Sequence, residues 1–128
     1  MSEVRNAKIT STMLGVESHG ILTCFVHLSG DGWGVGFGGY ALDQYRESEK
    51  RRRGTAYGME FVRRLLTTLD VEKWEDLPGH VVRVETEGWG GRALRIGHAL
   101  KEQWFDPATL RDEYFATAGA GERQETEP

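Results

Sequence analysis

One cysteine in 128 residues excludes an internal disulfide. Cys24 alternates with Leu22, Val26 and Leu28, which reads as one face of a strand and a buried, inert thiol. Reactive thiols need an accessible, electropositive setting. No apolar run approaches the ~20 residues of a membrane-crossing helix. Met1-Ser-Glu-Val-Arg-Asn lacks the apolar core of a secretory signal. A cytoplasmic location with no membrane partner is therefore expected. There is no P-loop, no Ser-His-Asp order and no His-Glu-x-x-His. His19, His27, His80 and His98 fit no metal template. No internal repeat is present. Glu85 and Glu87 share a strand face, but nothing nearby raises a carboxyl pKa as acid–base catalysis requires. No catalytic residue, metal ligand or cofactor is assigned.

What is present in quantity is charge, at 28% of residues, and glycine, with 17. The net charge is −4 and uneven. Residues 46–53, Arg-Glu-Ser-Glu-Lys-Arg-Arg-Arg, hold five cations and two anions, a net of +3. From Gly119 onward there are three acids and one Arg, a net of −2. An acidic body argues against nucleic-acid binding, which draws its affinity from phosphate neutralisation.

The glycines concentrate in Gly30-Asp-Gly-Trp-Gly-Val-Gly-Phe-Gly-Gly-Tyr40. At period two, Trp33, Val35 and Phe37 share one face, and Gly34, Gly36 and Gly38 share the other. Glycine weakens a strand, so a bare face needs a reason. Close approach by the main helix or a neighbouring strand is the structural reason. A partner lying flat on Gly34, Gly36 and Gly38 is the functional one. The spacing is not a dinucleotide fingerprint, because the chain continues as strand rather than opening a helix.

Around this stretch the pattern predicts an α+β fold. An antiparallel sheet of about five strands, in the order β-β-β-α-β-β, carries one main helix and a short C-terminal helix. Residues 1–6 read as a loose terminus. Strands are expected at Lys8 to Val16, Ile21 to Leu28, Trp33 to Leu42, Val81 to Thr86 and Arg92 to His98. Both faces of the second are apolar enough to be covered. Asp31-Gly32 marks a hairpin turn. Asp43 to Arg53 reads as a polar crossing segment. Thr55 opens the main helix, 55–69, with Met59, Val62, Leu65, Leu66 and Leu69 as its apolar stripe and Gly58 at the edge. Trp74 plugs the end of the core before Pro78. Residues 99–104 read as a helical turn. Asp106-Pro107 is a helix start, Asp as N-cap and Pro at the first position. Residues 1–117 form one domain on this reading, and 118–128 a flexible acidic tail.

Two places invite a ligand or partner. Arg51, Arg52, Arg53, Gly54 and Thr55 lead into the main helix, whose unpaired N–H groups and partial positive charge suit an anion. Arginines there add bidentate contacts to phosphate or carboxylate. The plain alternative is a solvated loop balanced by Glu47 and Glu49, with Thr55 only a cap. Trp89, in Glu87-Gly-Trp-Gly-Gly91, sits at a hairpin tip, where it stacks on a base, anchors a protein partner, or folds back onto the sheet or Trp104.

The block Leu14 to Asp43, with Gly54-Thr-Ala-Tyr-Gly-Met-Glu-Phe and Ile96-Gly-His-Ala-Leu-Lys-Glu-Gln-Trp-Phe-Asp, resembles a group of small uncharacterised proteins encoded by tailed phages and prophages. The resemblance spans most of residues 8–107 and brings no established activity. It implies a mobile-element origin and a role in infection or host defence. The expected function is a non-enzymatic accessory protein that binds a host-side target, either a small anionic or nucleotide ligand or a defence protein. The rival readings are a small nucleotide-acting enzyme using His98 or His27 as base, and a nucleic-acid binder.

Overall fold

The computed structural model describes residues 2–88 and 91–116. Its backbone is α+β with a mainly antiparallel sheet, as the pattern predicts. The long first strand, β1 (Glu3–Val16), organises the rest. Its first half, residues 3–8, pairs with β6 (Val81–Thr86). Its second half pairs with β2 (Leu22–Gly30), across a bulge between Ile9 and Ser11. β3 (Trp33–Gly38) returns on β2 through the Asp31-Gly32 turn, where Gly32 takes φ +77°. β7 (Ala93–His98) pairs with β6, and β8 (Trp104–Phe105) with β7. The order is β3-β2-β1-β6-β7-β8, six strands.

Three sequence expectations change here. Residues 3–6 are strand, not a loose terminus, because β6 supplies a partner for them. Residues 99–102 bend without forming a helical turn, and Trp104–Phe105 adds a sixth strand. Asp43 to Arg53 is not a simple crossing. β4 (Asp43–Arg46) and β5 (Arg51–Gly54) form a separate two-stranded hairpin. Its tight turn puts Lys50 at φ 55°, in the left-handed region.

α1 (Ala56–Leu69) starts where expected. The Thr55 hydroxyl accepts the Gly58 N–H at 2.9 Å and donates to the Leu42 carbonyl at 2.8 Å. The buried face, however, is Tyr57, Gly58, Phe61, Leu65 and Leu69. Met59, expected in the stripe, is 73% exposed. Val62 and Leu66 lie at the margin. Leu65 and Leu69 are buried as expected, but in the first half of the helix the buried positions are Tyr57, Gly58 and Phe61 in place of Met59 and Val62.

Phe61 is the centre of the core. Its ring lies 6.4 Å from Phe37 on β3 and 4.8 Å from Phe105 on β8. Phe37 and Phe105 meet directly at 6.0 Å. These strands are opposite ends of the sheet, so the sheet curls until its two edges close on one helix. The concave face also takes Ile9, Val26, Val82, Val84 and Ile96, all essentially inaccessible to solvent.

The curl decides the glycine question. α1 packs on the Phe37 side, so the expectation that it covers the glycine face is overturned. Gly34 and Gly36 lie exposed on the convex side. The ring of Phe25 stands beside Gly36, 3.2 Å from where its Cβ would be. The convex face of β2 is also less covered than expected, since His27 is exposed and stacks on Phe25 at 5.7 Å.

α2 (Pro107–Arg111) is capped by Asp106, which accepts the Ala108 N–H at 2.9 Å. A wider π-type turn, Asp112–Ala116, follows. Arg64 of α1 holds that turn through two bonds to Glu113, at 3.1 and 2.9 Å.

Candidate functional site

The hairpin and the start of α1 share one corner of the fold. In a strand alternate side chains part to opposite sides, and β5 does this with its three arginines. Arg51 and Arg53 share Glu49, at 3.2 and 2.7 Å. Arg52 turns the other way and meets Asp43 at 2.8 Å. It also donates to the Asp43 carbonyl at 3.2 Å, while the Asp43 carboxylate accepts the Leu22 N–H at 3.2 Å. The carboxylate is only 9% exposed and the Arg52 side chain 27%. Arg52 therefore braces Asp43 within the hairpin, Asp43 fastens the hairpin to β2, and the carboxylate strengthens the hold of Arg52 on its proton.

Beside this fastening lies a small, open cleft with room of about 70 Å³. Its lining takes Gln44, Arg46, Arg53, Gly54 and Thr55 from the hairpin and the helix cap, and Tyr114 and Phe115 from the C-terminal turn. The first turn of α1, Ala56 and Tyr57, forms the floor. Arg46 is half-buried and makes no ion pair among the described residues. The aromatic wall is built on Tyr57, whose ring packs on Tyr114 at 6.2 Å and Phe115 at 5.3 Å. Burial raises the Tyr57 phenol above its ordinary value, so it stays neutral. The corner thus offers the guanidinium of Arg46, that of Arg53 with its bond to Glu49, the positive end of a fourteen-residue helix and exposed aromatic surface. Those are the elements that bind an anion carrying a flat ring.

The sequence-derived residues divide at this corner. Arg53, Gly54 and Thr55 line the cleft together. Arg51 stands outside its lining with Glu49, and Arg52 is committed to Asp43. Arg46, Tyr114 and Phe115 were not singled out by the sequence. Arg46 lay inside the recognised charge run, but Tyr114 is distant in sequence and reaches the site only through the docking of α2. Gly34, Gly36 and Gly38 lie on the convex sheet face and do not line the cleft. Trp89 lies outside the described residues.

Neither His98 nor His27 lines the cleft. Nδ1 of His98 accepts two backbone N–H groups, from Leu100 and Lys101, each at 3.0 Å. Its Nε2 faces Asp70 at 3.3 Å. With Nδ1 so occupied, His98 holds the 98–101 bend and has no free basic nitrogen to offer a substrate. His27 has a ring neighbour, Phe25, and no carboxylate partner among the described residues. Glu85 is held below the usual carboxylate range by the Ser2 hydroxyl and by Arg95. Among the described residues no group of His, Cys, Asp and Glu is arranged to hold a metal ion. No described helix is long and apolar enough to cross a membrane. Comparison with protein families, curated proteins and solved structures gives no match.

Proposed function

We propose that this chain is a non-enzymatic accessory protein of a phage or other mobile element. It acts by binding a small anionic ligand of nucleotide type in the cleft at the start of α1. The observation that carries the reading is Arg46. A half-buried guanidinium with no described ion-pair partner keeps a charge available at the mouth of a cleft. Arg53 and the first N–H groups of α1 suit the phosphates, and Tyr114 with Phe115 suits the base. A binder fits better than an enzyme here, because the cleft lining holds no histidine, cysteine or carboxylate to serve as base or nucleophile. The mobile-element origin rests on the resemblance of Leu14 to Asp43 and the two shorter strings.

The test is thermal melting of the full chain with sulfate and a panel of nucleotides at low salt, followed by analysis of the mixtures for product. Binding to the folded state raises the midpoint, and above Kd the rise follows the logarithm of ligand concentration. The expected result is stabilisation by nucleotide without turnover, lost in Arg46→Gln and Arg53→Gln. A midpoint unmoved by every anion overturns the reading. Turnover of a bound nucleotide replaces it with the enzyme reading.

A further inference from the structure

The second half of β1 has a free edge. The Ile9 N–H and carbonyl already face outward, where they bond His80 and Gly79 at 2.8 and 2.7 Å. There the neighbouring chain leaves, at Pro78. At the far end the Glu17 N–H bonds the Ile21 carbonyl at 3.0 Å, which places the odd-numbered backbone groups toward β2. Antiparallel ladders alternate, so the N–H and carbonyl groups of Thr12, Leu14 and Val16 point away from β2. Among the described residues nothing pairs with them. The same stretch exposes Met13 at 38%, Leu14 at 43% and Val16 at 68%.

Proteins ordinarily blunt such an edge with charge, proline or a cover. Among the described residues this one has none of these. From Ile9 to Val16 there is no charged residue and no proline. The edge borders a groove whose far wall is Trp74, Glu75 and Pro78.

We propose that this edge is the interface of a homodimer, formed when β1 of a second copy adds antiparallel to Thr12–Val16. The midpoint of the free edge is Leu14. A two-fold axis there sets Leu14 against Leu14 of the second copy, and Thr12 against Val16 in both directions. The three outward residues of each strand then exchange all their N–H and carbonyl groups. On the convex face the same register sets Met13 of each copy against Gly15 of the other. A bulky, flexible side chain so meets a position with none. On the concave face Val16 of each copy enters the other's groove beside Trp74. The segment suits itself because it is neutral throughout: an isologous pairing brings every charge against its like. A charged or proline-rich peptide gains nothing from this edge, which favours a second copy over such a partner.

The test is sedimentation of the full chain over a wide concentration range, with wild type, Leu14→Lys and Val16→Lys. The wild type is expected at twice the chain mass, with a melting midpoint that rises with concentration. Leu14→Lys sets two like charges face to face and weakens association at least tenfold. Val16→Lys repeats the result at the groove, should the first variant fold poorly by circular dichroism. Hydrogen exchange supplies the location, with the Thr12, Leu14 and Val16 amides protected in the dimer. A monomeric wild type, a dimer indifferent to both substitutions, or a dimer whose three amides exchange freely each overturns the proposal.

Discussion

Gly58 on α1 rests directly against the carbonyl group of Leu42. A Cβ built on Gly58 overlaps that carbonyl and closes on the Leu42 side chain. The same carbonyl accepts the Thr55 hydroxyl. One backbone oxygen thus fixes both the start of the helix and its distance from the chain leaving β3. A mid-helix glycine costs about 1 kcal/mol against alanine when nothing else intervenes. Here the sign reverses. Gly58→Ala is expected to destabilise the fold by about 1–3 kcal/mol, read as a lowered midpoint in urea with an unchanged slope. A stabilised variant shows that the helix has room to shift.

Gly36→Val provides the contrast. The new side chain meets the edge of the Phe25 ring at 3.2 and 3.4 Å, and that ring is half-buried on the convex face, stacked on the exposed His27. Valine also suits a strand better than glycine. The expected change is within about 1 kcal/mol in either direction. A loss as large as that of Gly58→Ala contradicts the open convex face.

These two glycines also show what the sequence makes legible. Alternation alone separates Trp33, Val35 and Phe37 from Gly34, Gly36 and Gly38. Which face meets the helix depends on how far the sheet curls, and the contact that sets the curl joins Phe37 to Phe105, distant in the chain. The caps at Thr55 and Asp106 are local bonds, so both were readable. Leu65 and Leu69 follow from helical spacing, but the first half of the stripe does not: Met59 counts as apolar by type, whereas the aromatic Tyr57 and Phe61 take the buried positions. The β4–β5 hairpin is hidden by its composition: a run of arginines carries no strand signal, and only the Arg52–Asp43 pair reveals its purpose. Half of the candidate site was legible for the same reason. Arg53 to Thr55 are consecutive, but the Tyr114–Phe115 wall is brought by tertiary docking.

Acid should loosen the end of α1. Asp70, in the left-handed conformation at φ 57°, caps the helix and lies 2.7 Å from Nζ of Lys101. Lys101 above all, with His98 adding to it, holds the Asp70 carboxyl below the usual carboxylate range. A depressed carboxyl stabilises the fold above its unfolded pKa, and that contribution is lost as pH falls through the folded one. The midpoint is expected to be flat near neutrality and to fall below about pH 4. Asp70→Asn should make that fall shallower. An identical acid limb in the variant shows that the contact contributes nothing in solution.

Cys24 should be inert. Its thiol is essentially inaccessible on the core face of β2, and burial pushes it up to about 12. The thiolate is the reactive form, so thiol reagents are expected to leave the native chain unmodified at neutral pH and to label it fully in denaturant. Stoichiometric labelling under native conditions, faster than unfolding, contradicts this burial.

The arginines of the hairpin region are expected to part into two kinds. Arg52→Ala leaves the Asp43 carboxylate largely buried without its cation, and a stranded buried group costs about 1–3 kcal/mol. The partial exposure of Arg52 keeps the loss below that of a fully buried pair. Melting should therefore fall whether or not a nucleotide is present. Arg46→Gln removes a cation with no described ion-pair partner, so its midpoint without ligand should match the wild type within about 0.5 kcal/mol. Only its response to nucleotide should disappear. Arg51→Gln, outside the cleft lining and paired with Glu49, should change neither. The three variants, each melted with and without nucleotide, separate a fastening from a site. If Arg46→Gln lowers the ligand-free midpoint as far as Arg52→Ala does, then Arg46 is a structural residue and the cleft loses the charge on which the binding reading depends.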